Sequence, residues 1–202
     1  MEQKKKSALT RQKILEAAEE IFSSVGFAAA RVDAIAERAG VNKQMIYAHF
    51  ESKEGVYSAV LERVYSRLSE YQDTVASYEF EGAETVKRIV SDYFAFLISN
   101  PSFVRLMLWE NLNGARYVQQ APAALLDGLK ALLQSGIEKG LVRADLDVEQ
   151  TALSLNLFCF SAFSNQYTFS KLLGKDLGAR KELAKRAEHV TQMFLGYILP
   201  EK

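Results

Sequence analysis

Apolar residues recur along this chain at helical spacing, and no stretch alternates them convincingly in the manner of a strand. Ile14, Ala17, Ala18, Ile21, Phe22 and Val25 form one stripe. Thr10 stands before it as an N-cap and Gly26 after it as a C′ glycine. Val32, Ile35, Ala36 and Ala39 predict a second, shorter helix that stops at Gly40, and a third spans 41–49. Ser52, Lys53 and Glu54 open a fourth, which continues through Val56, Val60, Leu61, Val64 and Leu68 towards Val75. A loop over 77–82 leads to a fifth helix, 83–99, which ends before Pro101 because the residue preceding proline is driven out of the helical region. The pattern then predicts a sixth helix over 101–112 and a seventh over 121–139, each with proline in its first turn. An eighth runs from the cap Asp147 to Leu173, and a ninth covers 179–199. The fold class is therefore all-α, with three short, tightly joined helices ahead of longer, aromatic-rich ones.

The stretch "AIAERAGVNKQMIYAHF", residues 34–50, meets the requirements of a helix-turn-helix. Ala36 and Ala39 are small enough for close helix approach, and Gly40 supplies the positive φ that the bend needs. Val41 and Ile46 point inward, and Asn42 caps the third helix so that its first turn faces out. Lys43, Gln44 and Met45 then occupy the turn that approaches base edges. Gln pairs with adenine, Lys donates to guanine or phosphate, and a methionine packs on a thymine methyl or serves equally as core. Tyr47, His49 and Lys53 suit phosphate contacts. Each of these three also has a bland reading, as a packing or solvated residue.

With 202 residues, 49% hydrophobic and 25% charged, the composition is that of an ordinary globular protein. The net charge of +0 argues against a protein that coats nucleic acid indiscriminately. It leaves room for a local basic footprint. Lys4, Lys5, Lys6, Arg11 and Lys13 concentrate positive charge near the amino end, either as a phosphate-binding arm or as a solubilising tail. The single cysteine, Cys159, lies in the apolar run "LFCFSAF" and reads as a buried thiol of a cytoplasmic protein. No secretory leader, membrane span, metal-ligand spacing, phosphate-cradling glycine loop or catalytic serine motif is legible, so neither cofactor nor metal nor enzymatic activity is expected.

Residues 26–64, "GFAAARVDAIAERAGVNKQMIYAHFESKEGVYSAVLERV", resemble the DNA-binding segment of TetR-family transcriptional regulators. The resemblance is carried by Gly26-Phe27, Val32, Ile35-Ala36, Ala39-Gly40-Val41, Ile46-Tyr47, His49-Phe50 and Ser52-Lys53-Glu54. It implies a DNA-binding domain over 1–53 and an effector-binding and dimerisation domain over 54–202. It also implies a homodimer, a pseudo-palindromic operator in double-stranded DNA and a small-molecule effector. Where the family usually has Thr or Ser at the start of the second helix this chain has Ala30 and Arg31, so a cap is lost and Arg31 replaces the phosphate contact.

The resemblance places an effector cavity among the later helices. Aromatic residues in polar company nominate Phe94, Phe103, Met107, Trp109, Glu110, Asn111, Asn156, Phe160, Phe163 and Gln166, although an aromatic stripe also reads as plain core. The last two helices would form a four-helix bundle between subunits through Leu153, Leu157, Leu183, Val190, Phe194 and Tyr197. The resulting expectation is a ligand-responsive repressor released from its operator by an effector. The competing expectations are a helical small-molecule-binding protein or enzyme that does not bind DNA, and a DNA-binding protein governed by a partner protein instead of an effector.

Overall fold

The computed structural model describes residues 2–117 and 126–200. Among them the chain is all-α. Ten helices follow one another: α1 (Glu2–Ala29), α2 (Val32–Ala39), α3 (Lys43–Phe50), α4 (Lys53–Ala76), α5 (Ala83–Ser99), α6 (Pro101–Leu112), α7 (Asp127–Glu138), α8 (Val148–Ser164), α9 (Gln166–Leu173) and α10 (Arg180–Ile198).

Two compact units share these elements. The first comprises Met1–Ser66 and Ser102–Ala121, the second Arg67–Pro101 and Pro122–Lys202. The division therefore does not follow the expected boundary at residue 53. Packing assigns the first half of α4 and nearly all of α6 to the first unit, because both complete its core. In that unit α1 packs on α2 and α3, and α2 packs on α3. Ile14, Phe22, Ile35, Ile46, Tyr57, Val60 and Leu106 are wholly buried there. In the second unit α5 and α8 pack on α10 and on each other, and α7 packs on α8. Leu97, Val190, Cys159 and Ile198 lie in its core.

Several local expectations change. Thr10 does not cap α1, which is already helical from Glu2; its hydroxyl donates instead to the Lys6 carbonyl one turn back. The lysines near the amino end thus lie on a helix and not on an extended arm, with Lys5, Lys6, Arg11 and Lys13 exposed. Gly26 does break α1, as expected, with φ 74° and ψ 171° between helical neighbours. The single long eighth helix divides into α8 and α9 at Asn165. α7 begins at Asp127; Pro122 lies outside the described residues. Asp147 caps α8 as expected, accepting from the Gln150 N–H at 3.0 Å.

Candidate nucleic-acid interface

The bend between α2 and α3 follows from two residues. Gly40 adopts the left-handed conformation (φ 66°, ψ 36°), and its N–H reaches back to the Ala36 and Glu37 carbonyls. A Cβ there would touch nothing, so backbone conformation alone requires the glycine. Asn42 then caps α3, its side-chain oxygen accepting from the Met45 N–H at 2.9 Å. At the other end of α2, Arg31 occupies the cap position and makes no side-chain capping bond, as the missing Thr or Ser implied.

With its start held this way, α3 turns Ile46 and Phe50 into the core, with Arg11 stacked 5.0 Å from the Phe50 ring centre. Lys43, Gln44, Met45 and Tyr47 face solvent, Met45 with 39% of its surface exposed and Tyr47 with 40%. An exposed methionine beside an exposed tyrosine on an eight-residue helix is not a core arrangement. The Asn42 cap takes up the Met45 N–H, and the exposed first turn of α3 keeps the positive end of the helix facing solvent, which favours an anion there. His49 is half-buried beside Phe50. Lys53 donates to the Ala28 carbonyl at 3.3 Å and lies 4.5 Å from the Phe27 ring centre, which fixes α4 to the end of α1. Arg31 is exposed and close enough to Lys43 to act on its charge. One residue that sequence reasoning passed over belongs to this surface. Asp33, in the first turn of α2, pairs with Lys43 at 3.0 Å and raises the lysine pKa by hydrogen bond and charge. Its signal was an acidic residue at the start of the bracing helix, ten positions ahead of the lysine.

Four residues nominated for an effector pocket, Phe103, Met107, Trp109 and Glu110, lie in the first unit. Phe103 is buried. Met107 sulfur accepts from the Tyr65 hydroxyl at 3.1 Å. Trp109 donates its indole N–H to the Ser23 carbonyl at 3.3 Å and lays its ring over Gly26. Glu110, 2% exposed, accepts from the Tyr57 hydroxyl at 2.7 Å and from the Tyr117 N–H at 3.1 Å. Burial and this carboxylate push the Tyr57 hydroxyl pKa well up, so it stays a donor. Asn111 is exposed.

In the second unit a cavity of about 30 Å³ is lined by Tyr71, Tyr93, Leu126, Leu129, Asn156 and Cys159, among others. Of the nominated residues only Asn156 reaches it. Phe94 is buried edge-on to Phe163, Phe160 is half-buried, and Gln166 lines a separate groove of about 470 Å³ beside α9. Tyr71 stacks on Tyr93 with ring centres 5.3 Å apart, and the Tyr93 hydroxyl donates to the Asn156 side-chain oxygen at 3.3 Å. Burial raises both tyrosine pKa values and pushes the Cys159 thiol up to about 12. Cys159 is then expected to resist iodoacetamide in the folded protein at about pH 8 and to alkylate readily in denaturant, followed by mass spectrometry. Because its folded pKa is raised, its contribution to stability is present below 9.0 and is lost as pH climbs towards about 12.

The faces nominated for dimerisation divide in two. Leu183, Val190 and Phe194 are buried within the unit's own core, whereas Leu153, Leu157 and Tyr197 remain 38%, 55% and 51% exposed. Phe158 and Met193, not nominated, are also exposed.

Residues 14–60 match the model of bacterial regulatory proteins of the tetR family, and residues 83–194 match that of the tetracyclin repressor-like C-terminal domain. The chain belongs to the TetR family of transcriptional regulators. This TetR-family chain is similar to the HTH-type transcriptional repressor NicS of Pseudomonas putida, at 27% identity over 192 residues, covering 92% of this chain and 91% of that one. It is also 36% identical over 103 residues to the HTH-type transcriptional repressor SCO4008 of Streptomyces coelicolor, about half of each chain. Among solved structures, SCO4942 from Streptomyces coelicolor superimposes with a TM-score of 0.74 at 25% identity, covering 94% of this chain and 98% of that one. As a TetR-family regulator the protein binds DNA through the helix-turn-helix of its N-terminal region. No helix among the described residues is long and apolar enough to cross a membrane.

Proposed function

We propose that the protein is a homodimeric, cytoplasmic repressor that an uncharged small molecule releases from a pseudo-palindromic operator. The observation that carries the DNA side of this reading is the split of α3, with Ile46 and Phe50 buried and Lys43, Gln44, Met45 and Tyr47 outward. Gln44 and Met45 read base edges together with Lys43. Tyr47 and Arg31 hold phosphates, and Lys53 and His49 hold the frame that aims them. Exposed Leu153, Leu157, Phe158, Met193 and Tyr197 supply an apolar face for a second copy. A two-fold pair spaces recognition helices about 34–36 Å apart, the distance between successive major grooves on one side of a duplex.

Effector specificity follows from the cavity. Among the described residues no Lys, Arg, His, Asp or Glu lines it, so a charged ligand would lose its hydration without gaining a counter-charge. At about 30 Å³ it has room for roughly one water, and a ligand must open it. Tyr71 lies on α4, whose first turns belong to the DNA-reading unit, so displacement of that ring acts on a helix continuous with the head. A ligand shifts the dimer between states only by its differential affinity for them.

The test is selection of bound duplexes from a random pool, followed by single variants on the winning sequence. Gln44→Ala should cost about 1–3 kcal/mol at one base position and relax preference there. Tyr47→Phe should weaken binding to selected and scrambled duplexes alike. Full affinity in both variants would remove α3 from the interface.

A further inference from the structure

The surface meant to meet a polyanion carries a carboxylate at its centre. Asp33 is exposed on the first turn of α2, and its Oδ1 lies 3.0 Å from the Lys43 ammonium in the first turn of α3. Neither group is buried, with side chains 59% and 47% exposed, so the pair adds little to the fold. Toward DNA, however, Asp33 is unfavourable at every sequence, because it repels phosphates and cancels the long-range attraction of Lys43.

An ammonium has three donors and no preferred plane. Left alone on a flexible stem, it finds the nearest phosphate. Held by one carboxylate oxygen, it keeps donors for a second acceptor in one fixed direction. The neighbours define that direction. Arg31 and Tyr47 both lie near Lys43, and Gln44 follows it on the exposed face.

We infer that Asp33 is a specificity-determining residue: it holds Lys43 over the base edges and away from the phosphates, exchanging general affinity for discrimination. The partner class is a duplex with a major-groove acceptor pair, such as guanine O6 and N7, opposite Lys43. This rests on the reading of α3 as the DNA-contacting helix.

The experiment is a double-mutant cycle of Asp33→Asn and Lys43→Met in the full-length protein, measured on the selected duplex and a scrambled one across a salt series. Asp33→Asn alone should tighten binding to the scrambled duplex by about three- to tenfold and steepen the logarithmic salt slope by about one, as a freed lysine takes a phosphate. The ratio of selected to scrambled affinity should fall. In the Lys43→Met background the same substitution should leave that ratio unchanged, and Asp33→Glu should restore most of it. Loss of the Asp33 charge at the α2 N-terminus alone would lower the melting temperature in both backgrounds without moving the ratio in either. Wild-type protein that discriminates while Asp33→Asn discriminates equally well, or a ratio that falls equally without Lys43, would overturn this inference alone. Wild-type protein that binds no duplex would overturn the DNA-contact reading and this inference with it.

Discussion

Gly26→Ala is expected to destabilise the DNA-reading unit by about 2–6 kcal/mol, from two effects that add. Gly26 has φ 74° and ψ 171°, a region that L residues with a Cβ essentially do not occupy, at a cost of about 1–3 kcal/mol. A Cβ there would also lie 2.8 Å from the Trp109 ring, closer than real Cβ atoms approach, and the ring must move. Overpacking of that kind costs about 1–3 kcal/mol. Trp109 is the only tryptophan, so its fluorescence reports the contact directly. Urea titration of the full-length variant should show an earlier transition by fluorescence and a shifted native emission, with weaker binding to the selected duplex. A variant with wild-type emission and midpoint would mean that the indole does not sit on Gly26.

Truncating Tyr57 should have an effect of similar or larger size. The ring is wholly buried, 4.8 Å from Phe22, 5.0 Å from Phe27 and 5.3 Å from Tyr117 between ring centres. Removing a buried aromatic side chain costs about 3–5 kcal/mol through lost contacts and the cavity left behind. Tyr57→Ala also removes the hydroxyl that donates to Glu110, leaving a buried carboxylate oxygen short of a partner at about 1–3 kcal/mol more. Tyr57→Phe isolates the second effect, with the ring kept and the donor gone. The expected order of midpoints in urea is wild type, Tyr57→Phe, Tyr57→Ala, with clear gaps at both steps. A Tyr57→Phe midpoint equal to wild type would show that Glu110 finds another donor.

These predictions mark where the sequence stopped being informative. The helix-turn-helix was legible because its determinants are local. Gly40 sets a backbone angle, Asn42 caps the helix it begins, and Ile46 and Phe50 fall one turn apart on a buried face. Each acts within four residues, so spacing alone reveals it. The surroundings of the residues nominated for an effector pocket were not legible in the same way. Trp109 and Glu110 were nominated because aromatic and polar groups stand together, yet their partners, Ser23, Gly26 and Tyr57, lie 86, 83 and 53 positions earlier in the chain. Nothing in a local window separates a glutamate that meets a ligand from one that meets a buried tyrosine.

The apolar faces of α8 and α10 show the same limit from another side. Leu153, Leu157, Leu183, Val190 and Phe194 are alike in the sequence: apolar, on long helices, at helical spacing. Only the packing of α10 against α5 and α8 decides that the last three are covered within the chain and that the first two are left exposed. Taken alone, the order of residues determined the all-α class, the Asn42 and Asp147 caps, the bend at Gly40 and the outward face of α3, because these depend on interactions a turn or less apart. The tertiary structure decided which apolar residues became core, cavity wall or open surface, and it brought Asp33 to Lys43. Those outcomes depend on which helices meet, and pairs of apolar faces are interchangeable until the whole chain has chosen among them.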